Sequence, residues 1–209
     1  DLKGIDKLEL DPKTTCIDIG ANIGQSIEYF KSKFNSVHAF EPNKDNYKFL
    51  KRKYKNYDYI KLYNFALGRK NETKTLYIPY WKNIISLHQS ASLIRQECFD
   101  SLKEFLSIRK SDLSIRTSKV KVNKLNNFNI QNVSLIKIDS EGFEKEVLMG
   151  MTRYLDQSIN IILENTPRSF DFSKKFLESY GYECYRFHNG SFTKKKLNEA
   201  LNLFFLKKN

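Results

Sequence analysis

The pattern of apolar and polar positions alternates along the chain between runs typical of buried strands and spacing typical of helices. Residues 16–19 are apolar apart from one acid, which favours a strand covered on both faces. From Ile23 onward the period becomes helical, since Ile23, Ile27, Phe30 and Phe34 fall on one helix face. Strands and helices in this alternation predict a doubly wound α/β sheet with its site at the strand carboxyl ends.

Further segments have the composition of strands or helices. Pro79 is expected to end one strand, because proline cannot donate to a ladder, and Gly181 is expected to close the last helix. The predicted strands are 36–41, 59–67, 74–79, 120–125, 133–139, 159–163, 182–187 and 201–206, and the predicted later helices start at Asn43 and Phe143 and cover 94–108 and 173–180.

The first strand passes into the first helix through a turn with glycines at positions 20 and 24. Both glycines allow a close approach to a ligand, and the helix N-terminus offers unpaired N–H groups. Asn22 is expected to cap this helix, with Gln25 as its reciprocal partner. The spacing lacks the middle glycine of a dinucleotide fingerprint. Asp18 at the strand end disfavours phosphate and favours a cationic group such as an ammonium or a sulfonium.

Glu41 is the acid that ends the second predicted strand. It lies about 20 positions after Gly20, the spacing at which an acid accepts both hydroxyls of an adenosine ribose. Asn43 is expected to cap the helix that follows, and residues 64–68 would border the adenine. Two features of one nucleoside site therefore coincide.

Acidic residues end further predicted parallel strands as well. Because such strands end at one edge of a sheet, the acids should gather around one crevice although they are far apart in sequence. These strand-end acids are Asp18, Glu41, Asp139 and Glu164.

A chain of 209 residues is long enough for one domain with its own core. Residues 80–118 lose the regular pattern and are expected to form an inserted lid or acceptor-binding element. The chain opens on Asp1, so it is expected to be a processed chain or a domain excised from a longer polypeptide. No apolar run approaches the ~18 residues of a membrane span.

The three cysteines, at positions 16, 98 and 184, are odd in number and scattered. Buried free thiols in a reducing compartment such as the cytoplasm explain this usage better than a disulfide framework. The net charge of +12 comes from lysines spread along the chain. A high net charge predicts a nucleic-acid partner only when the basic residues cluster on one surface, and these lysines are scattered, although RNA or another anionic acceptor stays open.

The sequence resembles class I S-adenosylmethionine-dependent methyltransferases of the FkbM type. The block at 136–144 is the most specific part of the resemblance, which runs from about residue 14 to residue 165. Two departures are Asn126, where the family usually has Asp, and Ser140, where Val is commoner. The blocks that carry the resemblance are Asp18–Gly24, Phe40–Asn43, Asn64–Gly68, Ser90–Leu93 and Ile136–Glu144.

The resemblance implies a seven-stranded sheet with one antiparallel strand near the C-terminal edge, S-adenosylmethionine as donor, and O-methylation of a small or glycan acceptor. By position it places Asp139 beside the sulfonium and the acceptor. The other cofactor contacts that it implies are Asp18, Gly20, Asn22 and Gly24 at the amino-acid end, Glu41 with Pro42 and Asn43 at the ribose, and Ala66 at the adenine edge.

A sugar hydroxyl is weakly acidic, so an unassisted carboxylate is a poor base for it. Mg²⁺ on the acceptor oxygen would solve this, and Asp139, Glu164 and Asn165 supply oxygen ligands similar to those of catechol-type O-methyltransferases. Without metal, Asp139, Glu141 or His88 would be the base.

Other interpretations of these residues stay open. Glu141 could only cap the helix that follows, and His88 could be a surface residue. The alternatives to a glycan O-methyltransferase are a methyltransferase for RNA or another small molecule, and a nucleoside-binding scaffold without catalysis.

Overall fold

The computed structural model describes residues 2–98 and 112–207. The strands in chain order are β1 (Thr15–Ile19), β2 (Ser36–Phe40), β3 (Ile60–Tyr63), β4 (Ala66–Leu67), β5 (Glu72–Trp81), β6 (Ile85–Ser86), β7 (Leu113–Asn123), β8 (Val133–Ile138), β9 (Asn160–Glu164), β10 (Tyr182–His188), β11 (Ser191–Thr193) and β12 (Asn202–Lys207). The helices are α1 (Gln25–Phe30), α2 (Lys44–Lys53), α3 (Glu144–Met149), α4 (Thr152–Leu155) and α5 (Phe170–Ser179), with 3-10 turns at Leu2–Lys7, His88–Ser90, Leu125–Asn127 and Leu197–Glu199.

The larger sheet has the strand order β11-β10-β12-β9-β8-β1-β2-β3. Its strands β3, β2, β1, β8 and β9 pair in parallel, and β12 runs antiparallel between β9 and β10. The predicted doubly wound sheet with an antiparallel strand near the C-terminal edge is therefore confirmed. The prediction of seven strands was one too few, because β11 adds an eighth.

The eighth strand arises from a two-residue hairpin turn between β10 and β11. Asn189 and Gly190 have φ values of 49° and 80°, the left-handed conformation that a type I′ turn requires at both positions. His188 then pairs directly with Ser191. The dipeptide Asn-Gly is thus a hairpin signal in a stretch for which no strand was predicted.

Both faces of the larger sheet are covered, as the apolar run in the first strand predicts. All five residues of β1 are buried. Cys16 packs in one core cluster with Phe30 and Leu50 of α1 and α2, whereas Ile17 packs in the other with Val147 of α3. Successive side chains of a strand point to opposite faces, so β1 joins the two halves of the core.

The second sheet, in the order β4-β7-β5-β6, was not predicted as a sheet. The strand expected at 74–79 continues to Trp81, so Pro79 does not end it. Pro79 accepts a hydrogen bond from the Leu87 N–H on the side away from β7, at 2.8 Å, and its ring nitrogen faces the same side. No ladder bond to β7 is lost, which is the condition under which a strand tolerates proline.

Other predicted boundaries also change. The strand expected at 120–125 is the end of the long strand β7, and the strand expected at 59–67 divides into β3 and β4, which lie in different sheets. Of the helix predicted at 94–108, residues 95–98 are helical and residues 99–111 lie outside the described part of the chain.

Of the two N-terminal helix caps that the sequence predicts, one is confirmed and one is wrong. Asn43 caps α2 as predicted, since its side chain accepts the Asp45 N–H at 3.0 Å. The predicted cap of α1 was wrong, because α1 begins at Gln25 after Gly24 and has no side-chain cap bond. Asn22 instead has a φ of 51° and directs its side chain to other partners, described below.

All three cysteines are free and buried, as expected from their spacing. Across residues 2–98 and 112–207, the helices are too short or too polar to cross a bilayer.

The backbone at Gly20 generates a stability prediction. Gly20 and Gly190 have similar φ values of 85° and 80°, but an added Cβ would lie 1.7 Å from the Asp139 carbonyl oxygen at Gly20 and in open space at Gly190. Each change to alanine should cost about 1–2 kcal/mol for the left-handed backbone. Gly20→Ala should cost a further ~1–3 kcal/mol for overpacking.

Urea denaturation of the two variants measures this difference in the free energy of unfolding, with Gly190→Ala as the matched control. Equal losses in the two variants would show that the contact between Gly20 and Asp139 does not constrain the fold.

Candidate active site

A cavity of about 240 Å³ lies at the carboxyl ends of the parallel strands. It is closed on the other side by the insertion that follows β5, which contributes apolar side chains and His88. The lining residues most relevant to chemistry are Gly20, Asn22, Glu41, Pro42, Ala66, His88, Lys137, Asp139, Ser140, Glu141 and Glu164.

The turn after β1 is fixed to β2 by its backbone. The N–H groups of Gly20 and Ala21 both donate to the Phe40 carbonyl, at 3.0 and 3.1 Å. Gly20 lines the cavity, but Gly24 does not. A Cβ at Gly24 would lie 2.7 Å from the Tyr54 hydroxyl, so this glycine serves the packing of α1 against α2.

Glu41 is buried at the end of β2 and lines the cavity. Its carboxylate accepts the N–H groups of Asn22 and Asn43, at 2.8 and 2.7 Å. Burial raises the pKa of Glu41 to about 8, although these two N–H groups oppose the rise. Each carboxylate oxygen can accept a second hydrogen bond, so a pair of vicinal hydroxyls fits its remaining capacity.

Asp18 is completely buried beneath the cavity and does not line it. Its oxygens accept no hydrogen bond from the described residues, and the nearest cation is the Lys137 ammonium, 3.8 Å from Oδ1. Burial raises the pKa of Asp18 to about 6, whereas Lys137 lowers it. Asp18 is thus placed to act on a bound cation by its charge and not by direct contact.

Three carboxylates converge where β8 and β9 end. Oxygens of Asp139, Glu141 and Glu164 lie within 4.8 Å of one another. Burial, and then the charge of Asp139, raises the pKa of Glu141 and of Glu164 well above the ordinary range of glutamate. At neutral pH this cluster therefore holds protons that isolated carboxylates would have lost.

Lys137 supplies the positive charge of this cluster. Its Nζ donates to Asp139 Oδ2 at 2.8 Å. Burial lowers the pKa of Lys137, but the charges of Asp139 and Asp18 outweigh burial and the pKa is raised. Lys137 was not among the residues predicted from the sequence, although a lysine inside the apolar run of β8 is a signal for such a role.

The backbone after β8 is held in a rare conformation. Glu141 and Gly142 have φ values of 51° and 89°. The Ser92 hydroxyl of the insertion donates to the Glu141 carbonyl at 2.7 Å. Glu144 Oε1 accepts the N–H groups of Ser140 and Gly142, at 3.1 and 3.0 Å. Glu144 thus satisfies the turn before α3, whereas α3 itself begins after Phe143 without a side-chain cap bond, and Glu141 lines the cavity.

His88 connects the insertion with the first turn. Its Nδ1 lies 2.8 Å from Asn22 Oδ1, which also accepts from Asn46 Nδ2 at 3.1 Å. Since the amide oxygen only accepts, Nδ1 carries the proton and Nε2 is an acceptor. Burial lowers the pKa of His88, which favours this neutral form.

The remaining predicted residues divide into two groups. Pro42 and Ala66 line the cavity, whereas Asn43 and Asn165 do not. The Asn165 amide donates to the carbonyls of Leu197 and Ala200, at 3.2 and 2.8 Å. Of the metal ligands predicted from the sequence, Asp139 and Glu164 therefore lie together, and the third oxygen donor of the group is Glu141 and not Asn165.

Comparison with known proteins identifies the family of this chain. The family model described as the methyltransferase FkbM domain matches residues 18–184. A protein called methyltransferase 1 from Beauveria bassiana (strain ARSEF 2860) is 26% identical over 179 residues, which cover 79% of this chain and 71% of that protein.

Two solved structures are similar in fold. The methyltransferase FkbM from Methylobacillus flagellatus KT has a TM-score of 0.60 and 19% identity, over 95% of this chain but 44% of that one. The chain thus spans less than half of that protein. Precorrin-6y C5,15-methyltransferase from Geobacter metallireducens GS-15 has a TM-score of 0.50 and 14% identity, over 98% of this chain and 84% of that one.

The family model covers the turn after β1, the Glu41 segment and the cluster at the ends of β8 and β9, which are the parts that build the cavity. The resemblance seen in the sequence is confirmed, and the protein belongs to the family of methyltransferases with an FkbM domain.

Proposed function

We propose that this chain is an S-adenosylmethionine-dependent O-methyltransferase whose acceptor is a sugar hydroxyl of a glycan or glycoconjugate. The observation that carries the proposal is one cavity with Glu41 at one strand end and the carboxylate cluster at two others. Family membership supports a methyltransferase, and the hydroxyl acceptor is argued below from the charges that line the cavity.

The residues around the first turn suit the donor. The free capacity of Glu41 suits the ribose hydroxyls, and the buried charge of Asp18 favours a cationic ligand. The bound donor would supply a methyl group on a positively charged sulfur, which an acceptor oxygen displaces in line. Ala66 and Phe40 provide apolar surface for a flat ring.

The carboxylate cluster suits a hydroxyl acceptor. A base works best when its pKa lies near the working pH. Burial raises the pKa of Glu141 and of Glu164 from the ordinary glutamate range toward and beyond neutral pH. Mg²⁺ was expected because an ordinary carboxylate is a poor base for a sugar hydroxyl, and a carboxylate with a raised pKa is a better one. Glu141 would accept the hydroxyl proton, with Asp139 orienting the hydroxyl. His88 Nε2 is a second acceptor at the cavity wall.

The lining charges favour a neutral acceptor over RNA. Among the described lining residues the acids are Glu41, Asp139, Glu141 and Glu164, and Lys137 is the only lysine or arginine. A phosphate backbone would meet one cation among these lining residues, and that ammonium is already paired with Asp139, although the whole chain carries a net charge of +12.

The insertion at 80–118 would act as the lid of this single domain. Its described part already reaches both ends of the cavity, since His88 contacts Asn22 and Ser92 contacts the Glu141 carbonyl. Such an element excludes water from the transfer step and helps to choose the acceptor.

Transfer of a tritiated methyl group to a panel of oligosaccharides tests the proposal, with ribo-oligonucleotides as the second arm. We expect labelled oligosaccharide with a base-stable ether linkage. Labelling of the ribo-oligonucleotides alone would show an RNA methyltransferase. Binding of S-adenosylhomocysteine without transfer to either arm would show a scaffold, and no binding at all would overturn the donor assignment.

Glu41 generates a prediction about ligand binding. Above the raised pKa of Glu41, where its carboxylate is ionised, Glu41→Gln should weaken S-adenosylhomocysteine binding roughly 10- to 100-fold, because hydrogen bonds to a charged group are lost (~1.5–3 kcal/mol). Calorimetry with the ligand and its 2′-deoxy analogue separates this loss from a general disturbance. The wild-type protein should prefer the ligand with the 2′-hydroxyl, and the variant should have lost most of that preference.

Glu178→Gln, on the exposed side of α5, is the matched control and should bind like the wild type. A Glu41→Gln variant that keeps the full preference for the 2′-hydroxyl would contradict the ribose role.

Glu141 generates a prediction about pH. The carboxylate must be ionised to accept a proton, and burial raises its pKa, so kcat should rise with pH on the alkaline side of the ordinary glutamate range. Glu141→Gln should lower kcat by roughly 10²- to 10⁴-fold and remove this limb. Initial rates at saturating donor across roughly pH 5–10 measure this pH dependence of kcat.

Glu146→Gln, on helix α3 shortly after Glu141 but outside the cavity lining, is the control for this experiment. An alkaline limb of unchanged amplitude and position in Glu141→Gln would exclude Glu141 as the base.

A further inference from the structure

A lysine lies inside a central strand where apolar residues are the rule. Lys137 belongs to β8 and is 4% exposed, between strands β1 and β9. In register it faces Asp18 on one side and Ile162 on the other. A charge in such a position is costly unless it is paired, so its partners explain why it is tolerated.

The partners are acids of the cavity and of the layer beneath it. The ammonium lies 2.8 Å from Asp139 Oδ2 and 3.8 Å from Asp18 Oδ1. Asp139 belongs to the cluster whose oxygens lie within 4.8 Å of Glu141 and Glu164. The ammonium thus lies at the edge of a group of carboxylates that would otherwise repel one another.

Three carboxylates at this separation resemble the ligand set of a hard divalent ion. Lys137 changes what the cluster can hold, because its charge already compensates Asp139 and would repel a second cation bound to the same carboxylate. The third oxygen donor expected from the sequence, Asn165, donates instead to the carbonyls of Leu197 and Ala200. The residues present therefore fit an ammonium better than Mg²⁺.

We infer that the ammonium of Lys137 holds the place of the divalent ion of a metal-dependent O-methyltransferase, and that methyl transfer by this chain needs no metal. Lys137 acts here as a positioning residue, since it holds the Asp139 carboxylate at the cavity by a hydrogen bond. The inference rests on the proposed function for its meaning, but its main test is a binding measurement that needs neither donor nor acceptor.

The test uses Mn²⁺ as the probe, followed by the loss of the free-ion electron paramagnetic resonance signal in the full chain without other ligands. Lys137→Met removes the charge and keeps a similar length. It should bind one Mn²⁺ roughly tenfold or more tighter than the wild-type protein does. A second change, Glu164→Gln in the Lys137→Met protein, should abolish the gain.

Lys137→Arg keeps the positive charge and should gain no Mn²⁺ binding. Lys121→Met removes an exposed lysine on β7 and is the control for net charge, so it should behave like the wild type. If methyl transfer is detected, a chelator should leave the wild-type rate unchanged, and the rate of Lys137→Met should fall while Lys137→Arg recovers part of it.

Tight binding of Mn²⁺ by the wild-type protein that Glu164→Gln removes would overturn the inference, as would a chelator that stops wild-type transfer. Equal, weak Mn²⁺ binding in the wild-type and Lys137→Met proteins would also overturn it. If Lys137→Met does not fold, the wild-type, Lys137→Arg and chelator measurements decide. Failure of the proposed function would appear separately, as absent transfer to every acceptor with the Mn²⁺ results unchanged.

Discussion

The close contact between the ends of β1 and β8 is the constraint on which the rest of the site depends. Asp139 donates its N–H to the Ile19 carbonyl at 2.9 Å, so the parallel pairing of the two strands continues one residue beyond β8. The Asp139 carbonyl then approaches Gly20 so closely that no side chain fits there. This contact brings the turn proposed to bind the donor and the cluster proposed to bind the acceptor to one edge, without any loop in between.

The insertion completes the site because it contacts both of these parts. His88 meets Asn22 beside the first turn, and Ser92 meets the carbonyl of Glu141. The two contacts are of different kinds. The first orients side chains, whereas the second supports a left-handed backbone at a non-glycine residue, a conformation that costs free energy and persists only where neighbours hold it. The geometry of Glu141 therefore depends on the position of the insertion.

The sequence was most informative where topology alone decides position. Acids at the ends of parallel strands share one edge in any doubly wound sheet, so Glu41, Asp139 and Glu164 could be placed together from pattern and spacing. Short polar residues were harder to place, because several hydrogen-bond partners compete for them. Asn22 looks like a helix cap but binds His88 and Asn46, which only the fold brings near.

Asn165 was misplaced for the same reason, since its amide donates to the carbonyls of a turn distant in sequence and does not line the cavity.

The second sheet was not predicted because its strands β5 and β7 pair across a long intervening segment. Pro79 appeared to end a strand although its nitrogen faces away from the partner.

The charge around the cavity differs from the net charge of the whole chain. The chain is strongly basic as a whole, yet its cavity is lined by four acids and one lysine among the described residues. Burial, and then the charge of neighbouring acids, raises the pKa of Glu41, Glu141 and Glu164, so these acids are not all ionised together at neutral pH. A ligand that brings positive charge relieves the repulsion on entering, whereas an anionic one increases it. A cationic donor would therefore lower the pKa of Glu141 when it binds, so that the carboxylate becomes ionised when a hydroxyl proton has to be removed.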